Sequence, residues 1–127
     1  MVLAIASPTT GFVLAESNRR RCSFLLEAIR VLELRNVRVV QGDVEALPHE
    51  PRYPVVVSRA FRPPSAFLAI AIRLVAEGGR VVLLMADPSK DDLAALEKES
   101  GMLFEGCTRL RLPRGNEARA IVSFRAV

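Results

Sequence analysis

Apolar side chains recur in this sequence in two patterns that alternate along the chain. One is the short β-branched run; the other is a longer stretch with apolar residues three and four apart. Residues 11–16 (GFVLAE) read as a strand. Residues 18–34 read as a helix whose apolar face is Cys22, Leu25, Leu26, Ile29 and Leu32. Residues 36–41 (NVRVVQ) and 53–58 (YPVVVS) are strands, the second with Pro54 confined to its first residues. A helix over 65–77 is closed by Gly78-Gly79, and 80–86 (RVVLLMA) is a buried strand. The helix over 89–100 opens on a capping-box-like pair, Ser89 with Asp92, and stops at Gly101. Residues 102–112 and 118–126 form a final antiparallel pair around the turn Pro113-Arg114-Gly115-Asn116.

Strands alternating with helices predict an α/β fold: a mostly parallel sheet with helices on both faces. The runs Val55-Val56-Val57 and Val81-Val82-Leu83-Leu84-Met85 fit strands covered on both sides.

Composition narrows the class. The chain has 127 residues, half of them hydrophobic and a quarter charged, which suits one domain over 1–127 and excludes a disordered tail or a fibre. The apolar run from Ser65 ends at Arg73, far short of the ~20 residues a membrane span needs. Met1-Val2-Leu3-Ala4-Ile5-Ala6 lacks the basic region and length of a signal peptide. Two cysteines make no disulfide framework, so a reducing cytoplasm is expected. Net charge is +4, carried almost wholly by arginine, whose fork pairs with phosphate better than lysine does. Tryptophan is absent, so an aromatic base-stacking platform is not expected.

Candidate chemistry gathers at the carboxyl ends of the strands. Glu16 ends a strand that leads into a helix, where an acid accepts hydrogen bonds from ribose hydroxyls; alone, it also fits a solvated turn. Gly42-Asp43-Val44-Glu45 follows the next strand and could meet an adenine ring, or be an ordinary turn. Arg59, in the segment Ser58-Arg59-Ala60-Phe61-Arg62-Pro63-Pro64, could bind a carboxylate or phosphate in a fork. That segment has no Asn/Asp-Pro-Pro-aromatic motif and no cysteine nucleophile. Arg19-Arg20-Arg21 at a helix start oppose the macrodipole, which suggests an anionic partner or a solvated charge run. His49 is a lone surface histidine with no second metal ligand at a useful spacing, and Cys22 and Cys107 read as reduced core thiols.

Five segments in order, FVLAESNRRRCSFL, NVRVVQGDVEALP, VVVSRAF, EGGRVVLLMA and LRLPRGNEARAIVSFR, resemble the bacterial 16S rRNA guanine-N7 methyltransferase family, the glucose-inhibited division protein B type. The likeness covers nearly the whole chain. It implies a Rossmann-like S-adenosylmethionine-dependent methyltransferase sheet with a C-terminal antiparallel strand pair. It implies S-adenosylmethionine as cofactor, and ribosomal RNA or the small ribosomal subunit as partner. Glu16 would hold the ribose, Val44 and Glu45 would lie against the adenine, and Asp43 is a further adenine-side candidate. Arg59 would stand at the mouth of the site. Arg20 and Arg119 match family arginines that face RNA, with Arg19, Arg21 and Arg62 beside them as further phosphate contacts. No residue is assigned as a catalytic acid or base, and no metal is expected.

The resemblance also implies an N-terminal helical region and a Gly-rich loop ~20 residues before the acid, a position upstream of Met1. Met1–Pro8 then reads as the tail of the helix after that loop, and the sheet as incomplete at the N-terminus. A strand would be missing between those at 11–16 and 53–58. The chain is expected to re-pair the two strands directly or to associate by strand exchange or edge pairing. Two other readings stand beside the enzyme: a non-catalytic nucleic-acid-binding or assembly module derived from it, and a nicotinamide-type Rossmann protein, against which the final hairpin argues.

Overall fold

The computed structural model describes residues 1–59, 63–115 and 117–127. They fall into two compact units, Met1–Leu47 and Pro48–Val127.

The first unit runs α1 (Val2–Ala6), β1 (Phe12–Glu16), α2 (Arg19–Val31), β2 (Val37–Gln41) and a 3-10 turn at Val44–Ala46. β1 and β2 are parallel, in register from Phe12 opposite Val37 to Glu16 opposite Gln41. α2 begins where Asn18 accepts a hydrogen bond from the Arg21 N–H at 3.0 Å, an N-cap. Its packed face is narrower than the spacing predicts. Cys22 is buried and Leu25 and Ile29 are half-buried, but Leu26 and Leu32 stand 56% and 51% exposed. Leu32 has already left the helix as its C-cap. Asn36 secures the first residues of the chain: its amide nitrogen donates to the carbonyls of Ala4 (2.9 Å), Ser7 (3.0 Å) and Thr10 (2.9 Å).

The second unit runs β3 (Tyr53–Arg59), α3 (Pro64–Leu74), β4 (Val75–Ala86), α4 (Lys90–Ser100), β5 (Leu103–Arg111) and β6 (Ala118–Arg125). Its strands lie in the order β3-β4-β6-β5. β3 and β4 are parallel; β6 is antiparallel to both β4 and β5, which is the expected terminal hairpin. The capping box of α4 is present in both directions, Ser89 with Asp92, and Gly101 closes the helix at φ 72°.

α3 ends earlier than the glycine pair suggests. Val75 is already extended and pairs with Tyr53, so the glycines belong to the entry of β4. Gly78 takes φ 75° and its N–H donates to Ala126 at 3.1 Å. Gly79 is packed so closely that a Cβ there would lie 2.6 Å from the Pro54 carbonyl oxygen and 2.8 Å from that of Ala76.

Side-chain alternation divides this sheet into two faces. Val81, Leu83, Ala120, Val122 and Phe124 point to one side and are buried with Phe67, Leu68 and Ala71 of α3 and Leu93 and Leu96 of α4. Phe104 meets Phe124 edge-on at 5.9 Å. On the other side, Val55 and Val57 remain 52% and 44% exposed. The expectation of cover on both faces of the Val55–Val57 run is therefore corrected: within this unit both helices pack on the same face.

Among the described residues the strands form two separate sheets, with β1 bonded to β2 and β3 bonded to β4. β1 and β3 each have one edge with no strand paired to it among the described residues.

Candidate functional site

The parallel register of β1 and β2 brings both strand ends to one side of the first unit. Glu16 stands opposite Gln41, and the Gly42 N–H donates to the Glu16 carbonyl oxygen at 2.9 Å. The same carbonyl accepts from the Cys22 thiol at 3.2 Å, which ties the strand end to α2. Gly42 takes φ 138°, a conformation side chains rarely adopt, and turns the chain sharply after β2. Asp43 follows as the residue capping the 3-10 turn that carries Val44 and Glu45. Glu16, Asp43, Val44 and Glu45 are therefore gathered at adjoining strand ends.

Arg21 reaches Glu16, with Nη1 3.4 Å from Glu16 Oε1. It comes from the first turn of α2, which holds three arginines and no acid. The contact draws Arg21 toward the acid cluster. Arg19 and Arg20 are exposed and have no carboxylate partner among the described residues.

Arg59 occupies the equivalent position in the second unit, at the carboxyl end of β3, opposite Leu84. Its side chain is exposed. The neighbouring Ser58 hydroxyl is buried and donates to the Arg59 carbonyl at 3.0 Å, fixing the strand end from beneath. Arg62 lies outside the described residues. Arg119 sits at the start of β6 and pairs with Glu117 at 2.7 Å, so its guanidinium is partly engaged. Sequence patterning had no signal for the Asn36 clamp or the Glu16–Arg21 pair, since both depend on chain segments meeting at turns.

The first unit has acids and a tight glycine turn at the carboxyl ends of parallel strands, and the sheet of the second unit ends in an antiparallel hairpin; both features occur in Rossmann-like methyltransferases. A solved S-adenosylmethionine-dependent methyltransferase from Methanosarcina mazei superposes with a TM-score of 0.79 at 13% identity, covering 100% of this chain and 87% of that one. TrmN from Thermus thermophilus gives 0.74 at 20% identity, over 98% of this chain and 39% of its own. The fold is thus that of the S-adenosylmethionine-dependent methyltransferases. The family model described as rRNA small subunit methyltransferase G matches residues 1–122. The protein of that name from Cronobacter sakazakii is 36% identical over 124 residues, which is 98% of this chain and 59% of the relative. The Salmonella arizonae protein is 33% identical over 120 residues, covering 94% and 57%. The chain belongs to the rRNA small subunit methyltransferase G family, as the sequence resemblance implies, and spans about three fifths of the length of these relatives.

Proposed function

We propose that this chain serves S-adenosylmethionine-dependent methyl transfer to guanine N7 of small-subunit ribosomal RNA. The observation that carries the reading is the clustering of Glu16, Gly42, Asp43, Val44 and Glu45 at adjoining ends of β1 and β2, within a chain of this family.

The donor set suits the cofactor. The Glu16 carboxylate has several lone-pair sites, and Arg21 takes one oxygen at a long 3.4 Å, so acceptor capacity remains for a ribose diol. Val44 supplies an apolar side chain for an adenine face, and Asp43 and Glu45 supply acceptors for an exocyclic amine. When bound, S-adenosylmethionine supplies an electrophilic methyl group on a sulfonium.

Guanine N7 has an exposed lone pair and no proton at neutral pH. The protein therefore needs no general base, and its work is orientation and exclusion of water. Arg19 and Arg20 are placed to bind phosphates, with Arg21, Arg59, Arg62 and Arg119 as further contacts. Such contacts position RNA without reading its bases and weaken as salt rises.

The test is tritium transfer from methyl-labelled S-adenosylmethionine to small ribosomal subunits that lack the N7 methyl group. Aniline cleavage at the modified guanine then locates the product. Label at an N7-methylguanine supports the reading. RNA binding with neither transfer nor affinity for S-adenosylhomocysteine favours the alternative, a non-catalytic nucleic-acid-binding or assembly module. Among the described residues β1 and β3 each pair on one side only, which favours self-association by strand exchange or edge pairing. Sedimentation velocity reads this: a dimer supports it, and a monomer at micromolar concentration refutes it. The expected location of the reaction is the cytoplasm.

A further inference from the structure

The β5–β6 hairpin carries charge beyond the Arg119 that the proposed site uses. Residues 109–119 hold four arginines, Arg109, Arg111, Arg114 and Arg119, and one carboxylate, Glu117. Two of the four are engaged. Arg109 Nε meets Asp87 Oδ1 at 2.7 Å, and its Nη2 donates to the Pro88 carbonyl at 3.0 Å. Arg119 pairs with Glu117.

Arg111 and Arg114 are exposed and have no partner among the described residues. Arg111 is opposite Ala118 and Arg109 opposite Ala120, so the two arginines share a face of the strand about 6–7 Å apart. The locked Arg109 fastens the hairpin to the segment before α4. Arg114 follows Pro113 in the turn where Gly115 takes φ 147°; Asn116 lies outside the described residues. Two guanidinium forks without a partner among the described residues therefore stand two and five positions beyond an anchored arginine.

We propose that this hairpin tip is a second RNA-phosphate contact surface, carried by Arg111 and Arg114. It rests on the ribosomal RNA reading above and extends it to residues which that reading leaves without a role. Forked guanidinium groups match phosphate oxygens. The hairpin from 103 to 125 has no tyrosine or tryptophan, and its phenylalanines, Phe104 and Phe124, sit at the far end from the turn, so bases have no stacking platform there. The contact is thus independent of sequence. Two free cations are also fewer than the 4–8 of a typical anionic-lipid site, which favours RNA over a membrane surface.

The experiment is fluorescence anisotropy of the protein with a labelled small-subunit rRNA transcript, and with an unrelated transcript of equal length, from 50 to 200 mM KCl. Arg111→Gln/Arg114→Gln should flatten the log–log salt slope by about 1.4–1.8, for two contacts at roughly 0.7–0.9 each. The fourfold rise in salt then costs wild type about 7–12-fold more affinity than it costs the variant, equally on both RNAs. Arg111→Lys/Arg114→Lys should restore most of the slope. Arg52→Gln/Arg73→Gln, with the same loss of charge elsewhere in the unit, should leave the slope as in wild type. An unchanged slope in the first variant overturns the proposal, as does equal flattening in the Arg52/Arg73 control. Loss of flotation with phosphatidylserine vesicles without any change in RNA binding also overturns it, in favour of a lipid surface. Wild type that binds no RNA removes the ribosomal RNA reading and this proposal together. If Arg19→Gln/Arg20→Gln flattens the slope while Arg111→Gln/Arg114→Gln does not, only the hairpin assignment fails.

Discussion

Gly79 gives the sharpest test of how β3, and with it Arg59, is held. A methyl group there would lie 2.6 Å from the Pro54 oxygen, 2.8 Å from the Ala76 oxygen and 2.8 Å from Val75 Cγ2. Two of these atoms are backbone, so a side-chain rotation cannot relieve the clash; β3 and β4 must move apart where Tyr53 pairs with Val75. Overpacking of this kind costs about 1–3 kcal/mol, and loosening one ladder hydrogen bond adds about 1 kcal/mol. Gly79→Ala should therefore destabilise by about 2–4 kcal/mol, a large share of the ~5–15 kcal/mol typical of a domain. Two neighbouring cases calibrate the argument. Gly78 has open space but φ 75°, so Gly78→Ala should cost only about 1–2 kcal/mol for the left-handed backbone. Gly11 has open space and no positive φ, so Gly11→Ala should be neutral or stabilise by about 0.4–1 kcal/mol. Urea unfolding followed by far-ultraviolet circular dichroism reads all three. If Gly79→Ala unfolds within about 0.5 kcal/mol of wild type, or tolerates more urea than Gly78→Ala, the close-approach argument is wrong.

Further predictions concern the clamp and the surface acids. Asn36→Ala removes the donor shared by the Ala4, Ser7 and Thr10 carbonyls, of which Ser7 keeps the Thr10 N–H, and should cost roughly 1–3 kcal/mol, with faster amide exchange over residues 2–10; unchanged exchange there would contradict it. Glu105 hydrogen-bonds Arg80 and faces Arg125, and these contacts, Arg80 first, hold its carboxyl below the ordinary 4.5. Because the folded value is the lower one, this contribution is complete above pH about 4.5 and fades as pH falls through the depressed value. Glu105→Gln should accordingly show a shallower loss of stability below pH 4.5 than wild type does, and parallel acid-unfolding curves would refute the pairing.

The legible parts of this fold are those fixed by neighbours in sequence. The Ser89–Asp92 capping box, the Gly101 stop and the hairpin around Pro113–Gly115 all depend on residues a few positions apart, and the structure has each of them. The less legible parts depend on distant partners. Gly78-Gly79 looks like a helix stop, but tertiary pairing of Val75 with Tyr53 ends α3 at Leu74, and the glycines serve the approach to Pro54. Leu26 and Leu32 satisfy helical spacing yet are exposed, because α2 buries only the stripe through Cys22. Strand-end logic put Glu16 and the Gly42–Glu45 turn each at the carboxyl end of a strand, and the parallel register of β1 and β2 carries both ends to one side. It could not separate Arg21 from Arg19 and Arg20, because helix geometry decides which of three consecutive arginines reaches the acid.

Isothermal titration calorimetry with S-adenosylhomocysteine tests the central claim most directly, with wild type beside Glu16→Gln. Micromolar binding is predicted, weakened about 10–150-fold by Glu16→Gln, the equivalent of one hydrogen bond to a charged group at about 1.5–3 kcal/mol. No heat of binding in the wild type, or equal affinity in the two proteins, would contradict the assignment of the β1–β2 end as the cofactor's ribose site.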